Sequence, residues 1–192
     1  VREPFSGKDV TLSIDQRIQR SAQSVLAGER GAVVVLDPDT GEVLAMVSSP
    51  TFDPNVFVDK EMRSRVSEYL QSSLSPLLNR AISGAFPPGS VFKIPVAMAG
   101  LEERKIRPST VFNCPGFFEL GDRVFRSPHA YGPQDLIQAM GHSANEYFFH
   151  IGLLLGQDLM AKHARMFGLG EKTGVDLPYE TRGNIPSYKA RW

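Results

Sequence analysis

Apolar residues recur at helical spacing at Ile14, Ile18, Ala22, Val25 and Leu26, with polar residues between them and Gly28 just past the end. That spacing puts them on one face, so it predicts an amphipathic helix stopped by a glycine. The period then changes. Gly31-Ala32-Val33-Val34-Val35-Leu36 and Glu42-Val43-Leu44-Ala45-Met46-Val47 are β-rich runs separated by Asp37-Pro38-Asp39-Thr40-Gly41, residue types that favour a tight turn, and an antiparallel hairpin is expected. The first run is apolar along most of its length, which predicts burial on both faces, with helices packed against the sheet in a layered α+β domain. Residues 48–85 carry Pro50, Pro54, Pro76 and scattered charges, with only a short helical patch over 61–70. They read as a surface excursion.

After Pro87-Pro88-Gly89 the pattern is helical again from Ser90 to about residue 103, and proline at the entry suits a helix start. Pro95 falls inside it, where it is tolerated only near the first turn; deeper in, it would lose a backbone hydrogen bond and clash, at about 3 kcal/mol. Helical patterns return over 133–140, 145–155 and 157–167, the last stopping at Gly168-Leu169-Gly170, and 172–192 reads as loop. There is no internal repeat and no low-complexity tract.

The chain has 192 residues, 42% hydrophobic and 22% charged, which fits one globular domain over 1–192. Its 21 basic residues cancel its 21 acidic ones, so no net field draws it to nucleic acid or to an anionic membrane. The longest apolar runs, such as Val33-Val34-Val35-Leu36, are far short of the roughly 20 residues that cross a bilayer. Cys114 is the only cysteine, so no internal disulfide is possible. Val1 and the lack of a signal-type segment predict a fragment without its targeting element.

Ser90 and Lys93 are three residues apart, so on a helix both side chains share a face. A serine hydroxyl attacks a carbonyl only when its proton is removed. A lysine can do that once its pKa is drawn from about 10.4 to neutrality, which requires roughly 4 to 5 kcal/mol of desolvation and charge effects. Phe92, Ile94 and Val96 are placed to enclose it, and the helix N-terminus supplies free N–H groups where an oxyanion would form. The spacing alone carries little weight, since a chain with 17 serines among 192 residues holds roughly 0.6 such pairs by chance. A second group, Ser143-Ala144-Asn145, lies between two helical segments. Facing Ser90, its hydroxyl would relay a proton and its amide would hold a substrate carbonyl; otherwise Ser143 is a helix N-cap.

Ala85-Phe86-Pro87-Pro88-Gly89-Ser90-Val91-Phe92-Lys93-Ile94 resembles the active-serine segment of the penicillin-binding proteins, and Ser143-Ala144-Asn145-Glu146-Tyr147-Phe148-Phe149 resembles their second motif. Leu36-Asp37-Pro38, Gly41 to Ser48, Phe167 to Gly170, Thr173 to Pro178 and Arg182-Gly183-Asn184-Ile185-Pro186 are similar to further family segments in the same order, most closely those of the elongation-type, class B members. The resemblance implies an α/β sandwich like that of the serine β-lactamases, with a central antiparallel sheet and helices on both faces, here incomplete. It implies a peptidoglycan D,D-transpeptidase acting on stem peptides and acylated by β-lactams, with Ser90, Lys93, Ser143 and Asn145 catalytic and no cofactor. It further implies glycosyltransferase and cell-elongation partners, no nucleic acid, and a periplasmic location with a membrane anchor outside this chain.

The family's third motif, Lys-Thr/Ser-Gly on a cleft strand, has a lookalike in Lys172-Thr173-Gly174. Gly168 and Gly170 before it and Pro178 after it predict a turn instead, and the true motif is expected beyond Trp192. Cys114, Asp122, His129 and His142 lack compact metal-ligand spacing, so no metal is predicted, and Cys114 reads as a buried thiol near Phe112 and Phe117. His150 reads as a core or surface histidine. Phe117-Phe118 and Tyr147-Phe148-Phe149 read as packing residues. The competing functions are a serine β-lactamase or D,D-carboxypeptidase on the same scaffold, which needs a base for its water, and a non-catalytic β-lactam sensor or scaffold module.

Overall fold

The computed structural model describes residues 7–186, and they form two compact units, one up to Gly84 and one from Ala85 onward. The last six residues of the expected loop, 187–192, lie outside the described residues, as does Val1.

In the first unit, helix α1 (Gln16–Val25) starts at Asp15, whose carboxylate accepts from the Arg17 and Ile18 amides. The Arg17 guanidinium, bonded to the same side chain, holds that carboxyl down at a pKa of about 2. Ala22 is buried, whereas Val25, expected on the apolar face, lies 75% exposed at the last residue of the helix. Strands β1 (Gly31–Leu36) and β2 (Val43–Ser49) form the expected antiparallel hairpin. Its turn is tied by Asp37, whose side chain accepts from the amides of Asp39 and Thr40 at 2.9 Å each. Along β2, α1 substitutes for a neighbouring strand. The Gln19 amide donates to the Met46 carbonyl at 2.9 Å and accepts from the Met46 amide at 2.8 Å, and the Asp15 amide reaches the Leu44 carbonyl at 2.9 Å. An edge that would otherwise be open is thereby satisfied.

Burial of β1 on both faces is not observed. Exposed and partly buried residues alternate along it, leaving Val34 at 43% and Leu36 at 54% exposure, the period of a strand covered on one side. The excursion 48–85 contains a 3-10 turn at Pro54–Phe57, helix α2 (Ser64–Gln71) in place of the patch expected over 61–70, and the single-turn helix α3 (Arg80–Ser83).

In the second unit, the helix expected from Ser90 is divided. A 3-10 turn over Gly89–Phe92 leads into α4 (Lys93–Glu102). Pro95 therefore sits in the first turn of α4, where its missing N–H has no helical partner to lose. Four short strands follow: β3 (Phe112–Cys114), β4 (Phe117–Leu120), β5 (Arg123–Arg126) and β6 (Gly132–Gln134). β3 pairs antiparallel with β6, and β4 with β5. The helix expected from residue 133 begins later, as α5 (Leu136–Gly141). Pro133 pairs with Asn113 in the ladder, and Asp135 starts the helix through a reciprocal capping box with Gln138. α6 (Asn145–Met166) is two helical stretches joined at Gly156, whose φ of 72° and ψ of 167° break the coil where the hydrophobic pattern also divides. Among the described residues, the antiparallel pairing is thus spread over three two-stranded ladders, and no helix is long and apolar enough to cross a membrane.

The core of this unit joins α4 to α6, with Val96, Ala97 and Ala99 against Tyr147, Ile151 and Leu155, and Cys114 and Leu136 closing the side. Gly100 lets the helices approach: a Cβ there would lie 2.9 Å from Ile151 Cγ2 and 3.1 Å from Ile106 Cγ1, both on buried side chains that have no room to yield. Gly100→Ala should therefore destabilise the protein by about 1 to 3 kcal/mol through overpacking, measured as a lower denaturant midpoint at unchanged slope; an unchanged midpoint would refute the contact.

Candidate active site

Ser90 is the second residue of the 3-10 turn and Lys93, three residues on, is the first residue of α4, so the tight turn brings their side chains to one face. Gly89 enters the turn at φ 59°, a left-handed conformation suited to glycine. Ser90 is exposed and Lys93 half-buried. The Lys93 ammonium makes three hydrogen bonds, donating to the Ser143 carbonyl at 2.6 Å, the Ser143 hydroxyl at 2.8 Å and the Asn145 Oδ1 at 2.7 Å. The Ser143 hydroxyl in turn donates to Ser90 Oγ at 3.0 Å. Ser90 thus connects to the lysine through the hydroxyl of Ser143. Burial lowers the Lys93 pKa, opposed by the negative charge of Glu146, and the Phe148 ring lies 5.4 Å below the ammonium.

Ser143 is not an N-cap. Its φ of 54° is left-handed, its amide donates to the Met140 carbonyl at 3.2 Å, and the Ala144 amide donates to the Ala139 carbonyl at 2.9 Å. These two bonds are the Schellman ending of α5, with Ser143 at the position glycine usually takes. A non-glycine residue there costs of order 1 to 2 kcal/mol. The strained turn aims both oxygens of Ser143 at Lys93, while Asn145 adds its oxygen from the first residue of α6.

A cleft of about 690 Å³ opens beside these groups, lined by Ser90, Lys93 and Asn145 on one side. Phe118, Leu120 and Phe125 of the β4–β5 hairpin, with Phe148 and Phe149 of α6, form an apolar wall. Phe149 packs on Phe118 and Phe125 at centroid distances of 5.2 and 5.9 Å. Phe118, Phe148 and Phe149, read from the sequence as packing residues with a place at the cleft border as the alternative, thus line the cleft; the β4–β5 hairpin carries a two-residue signal in Gly121-Asp122 between two β-rich runs. A larger groove in the first unit, about 830 Å³, is lined by no titratable side chain.

The other candidates separate from the site. His150 stacks on Phe112 at 4.7 Å and meets Phe118 edge-on at 5.0 Å, and burial lowers its pKa. Cys114 is fully buried, which raises its pKa; His142 bonds Gln134 and stacks on Tyr131. Lys172-Thr173-Gly174 lies in a loop, as its flanking residues predict. Glu180 fastens it, accepting from the Thr173 hydroxyl at 2.6 Å and amide at 2.7 Å, and these bonds hold the Glu180 carboxyl below its usual pKa.

An exposed serine joined through a second hydroxyl to a half-buried lysine, beside a largely apolar cleft on an α/β scaffold, has the chemistry of a serine acyl-transfer centre. Residues 31–191 match the penicillin binding protein transpeptidase domain, and the chain belongs to that family. It is 41% identical over 190 residues to the peptidoglycan D,D-transpeptidase MrdA of Acinetobacter baumannii, covering 97% of this chain and 28% of that protein. The chain thus spans under a third of the length of that relative. The structure of Pseudomonas aeruginosa PBP2 in complex with WCK 5153 superposes with a TM-score of 0.85 at 38% identity, over 97% of this chain and 43% of that one. Helicobacter pylori PBP2 in its complex with MreC gives 0.84 at 35% identity, over 90% and 33%. These neighbours agree with the expected α/β class.

If strain at Ser143 is held in place by its surroundings, Ser143→Gly should be more stable than Ser143→Ala by about 1 kcal/mol, because only the first relieves the left-handed conformation. Thermal unfolding of the two variants side by side checks it, and equal stabilities would count against the assigned geometry.

Proposed function

We propose that this chain is a partial transpeptidase domain, residues 1–192, of a peptidoglycan D,D-transpeptidase of the elongation type, with its third motif downstream of Trp192. The exposed apolar residues Val34 and Leu36 on β1 support a partial domain, since a run apolar on both faces normally packs on both. Ser90 Oγ attacks the penultimate D-alanine carbonyl of a stem peptide. Its proton passes through the Ser143 hydroxyl toward a neutral Lys93, the C–N bond to the terminal D-alanine breaks, and the departing nitrogen takes up a proton. The amine of a neighbouring strand then attacks the ester and frees Ser90. A β-lactam acylates Ser90 in the same way, but its leaving nitrogen stays tethered. Asn145, with its side-chain amide at the cleft, holds a substrate carbonyl.

The observation that carries this reading is the hydrogen-bond chain from Ser90 through Ser143 to Lys93. A hydrolase needs a base for water, and among the described residues Lys93 is the titratable side chain that lines the cleft, the same group an amine nucleophile would use. By analogy with the Helicobacter pylori protein in complex with MreC and with the peptidoglycan synthase complex that coordinates polymerization and crosslinking, cell-elongation proteins and a glycosyltransferase are the proposed partners, at the extracytoplasmic face of the membrane.

Mass spectrometry after incubation with a labelled penicillin tests the function on the protein extended past Trp192. A single adduct on Ser90 is expected, absent in Ser90→Ala. Lys93→Met should acylate slower by about 10² or more, while Lys172→Ala, a loop charge, should label at close to the parental rate. An adduct on another serine, or normal labelling of folded Lys93→Met, overturns the assignment.

A further inference from the structure

Glu146 takes no part in the chemistry above. It follows Asn145 in the first turn of α6, is 0% exposed, and neither carboxylate oxygen has a hydrogen-bond partner among the described residues. A buried carboxylate without a partner is costly unless a positive charge balances it. The dipole of α6 supplies part of that balance. Three titratable groups on three elements feel the charge of Glu146: Lys93 on α4, Cys114 on β3 and His150 one turn along α6. Burial keeps the thiol protonated and the imidazole neutral at pH 7, and the adjacent Tyr147 phenol, pushed up to about 12, is neutral too. Lys93 is therefore the cation of this set.

We propose that Glu146 is a positioning residue of the serine–lysine centre, its buried carboxylate holding the Lys93 ammonium on Ser143 and Asn145 from the first turn of α6. The inference rests on the acyl transfer proposed above. All three ammonium hydrogens are engaged in this arrangement, so Lys93 must release one before it can receive the proton of Ser90. Burial favours that release and Glu146 opposes it. The acylation rate rises with pH as Lys93 becomes neutral, and removing the negative charge leaves burial unopposed, which moves that rise to lower pH.

The test is the pH dependence of penicillin acylation in the protein extended past Trp192, compared with Glu146→Gln and Glu146→Asp. The rising limb of Glu146→Gln should shift to lower pH by about half a unit or more, with Glu146→Asp between it and the parent. Superimposable limbs, or a shift to higher pH, overturn the proposal. Should Glu146→Gln not fold, Glu146→Asp decides, because drawing the acid back must move the limb in the same direction by a smaller amount; an unmoved limb overturns the proposal. A parent never acylated at Ser90 overturns the acyl transfer and this inference with it, whereas a parent that is acylated with an unmoved limb in the variants overturns this inference alone.

Discussion

The Lys93 ammonium is held by three oxygens, two from Ser143 in the three-residue connection between α5 and α6 and one from Asn145, the first residue of α6. That requirement reaches far into the second unit. The connection must turn sharply enough to bring the carbonyl and hydroxyl of Ser143 and the amide oxygen of Asn145 to one point, which a left-handed Ser143 achieves and an extended linker would not. α4 and α6 must also run close enough for a side chain starting on one to end on the other, and Gly100 against Ile151 permits that approach. The capping box at Asp135 fixes where α5 begins and so where its Schellman ending falls. Core packing, helix ends and backbone strain here serve one ion's coordination.

The electrostatics follow from the same placement. One flank of the cleft carries the serine, the lysine and the asparagine, and the other is aromatic and aliphatic. Such a wall lowers the local dielectric beside the half-buried lysine, which strengthens the polar contacts it makes and also disfavours its charge. The lysine is thereby held between two tendencies, with enough acceptors to keep its protons in place and enough apolar surface to make losing one feasible.

Much of this was legible in the residues. The β1–β2 hairpin followed from a Pro/Asp/Gly turn between two β-rich runs, the break in α6 from the changed pattern at Gly156, and the first-turn place of Pro95 from its intolerance of any other. Ser90, Lys93, Ser143 and Asn145 were identifiable because their flanking segments matched a family in order; their spacings alone would have been near chance. What escaped was tertiary. Val34 and Leu36 are apolar by composition, and whether a second layer covers them is decided by other parts of a fold. The N-cap alternative for Ser143 fails because its left-handed backbone is set by the end of the preceding helix. The β4–β5 hairpin had a local signal in Gly121-Asp122, but nothing local tells that its aromatic residues face a cleft formed with α4 and α6.

The two lysine-containing triplets show why position in the fold outranks a short motif. Lys172-Thr173-Gly174 has the composition of a cleft strand, yet the glycines before it at φ 78° and 82° turn the chain. Glu180 then occupies the Thr173 hydroxyl and amide, groups that a strand would need for pairing and for substrate. Lys93 has no such competitor: Glu146, whose charge opposes the effect of burial on the lysine, makes no hydrogen bond among the described residues, so it acts through space and leaves the ammonium's three donors to Ser143 and Asn145. A carboxylate in direct contact would have fixed the proton on the lysine and ended its use as a base. In the proposed acyl transfer, an acid within electrostatic reach but out of hydrogen-bonding reach leaves one side chain able to serve first as an anchor and then as a proton acceptor.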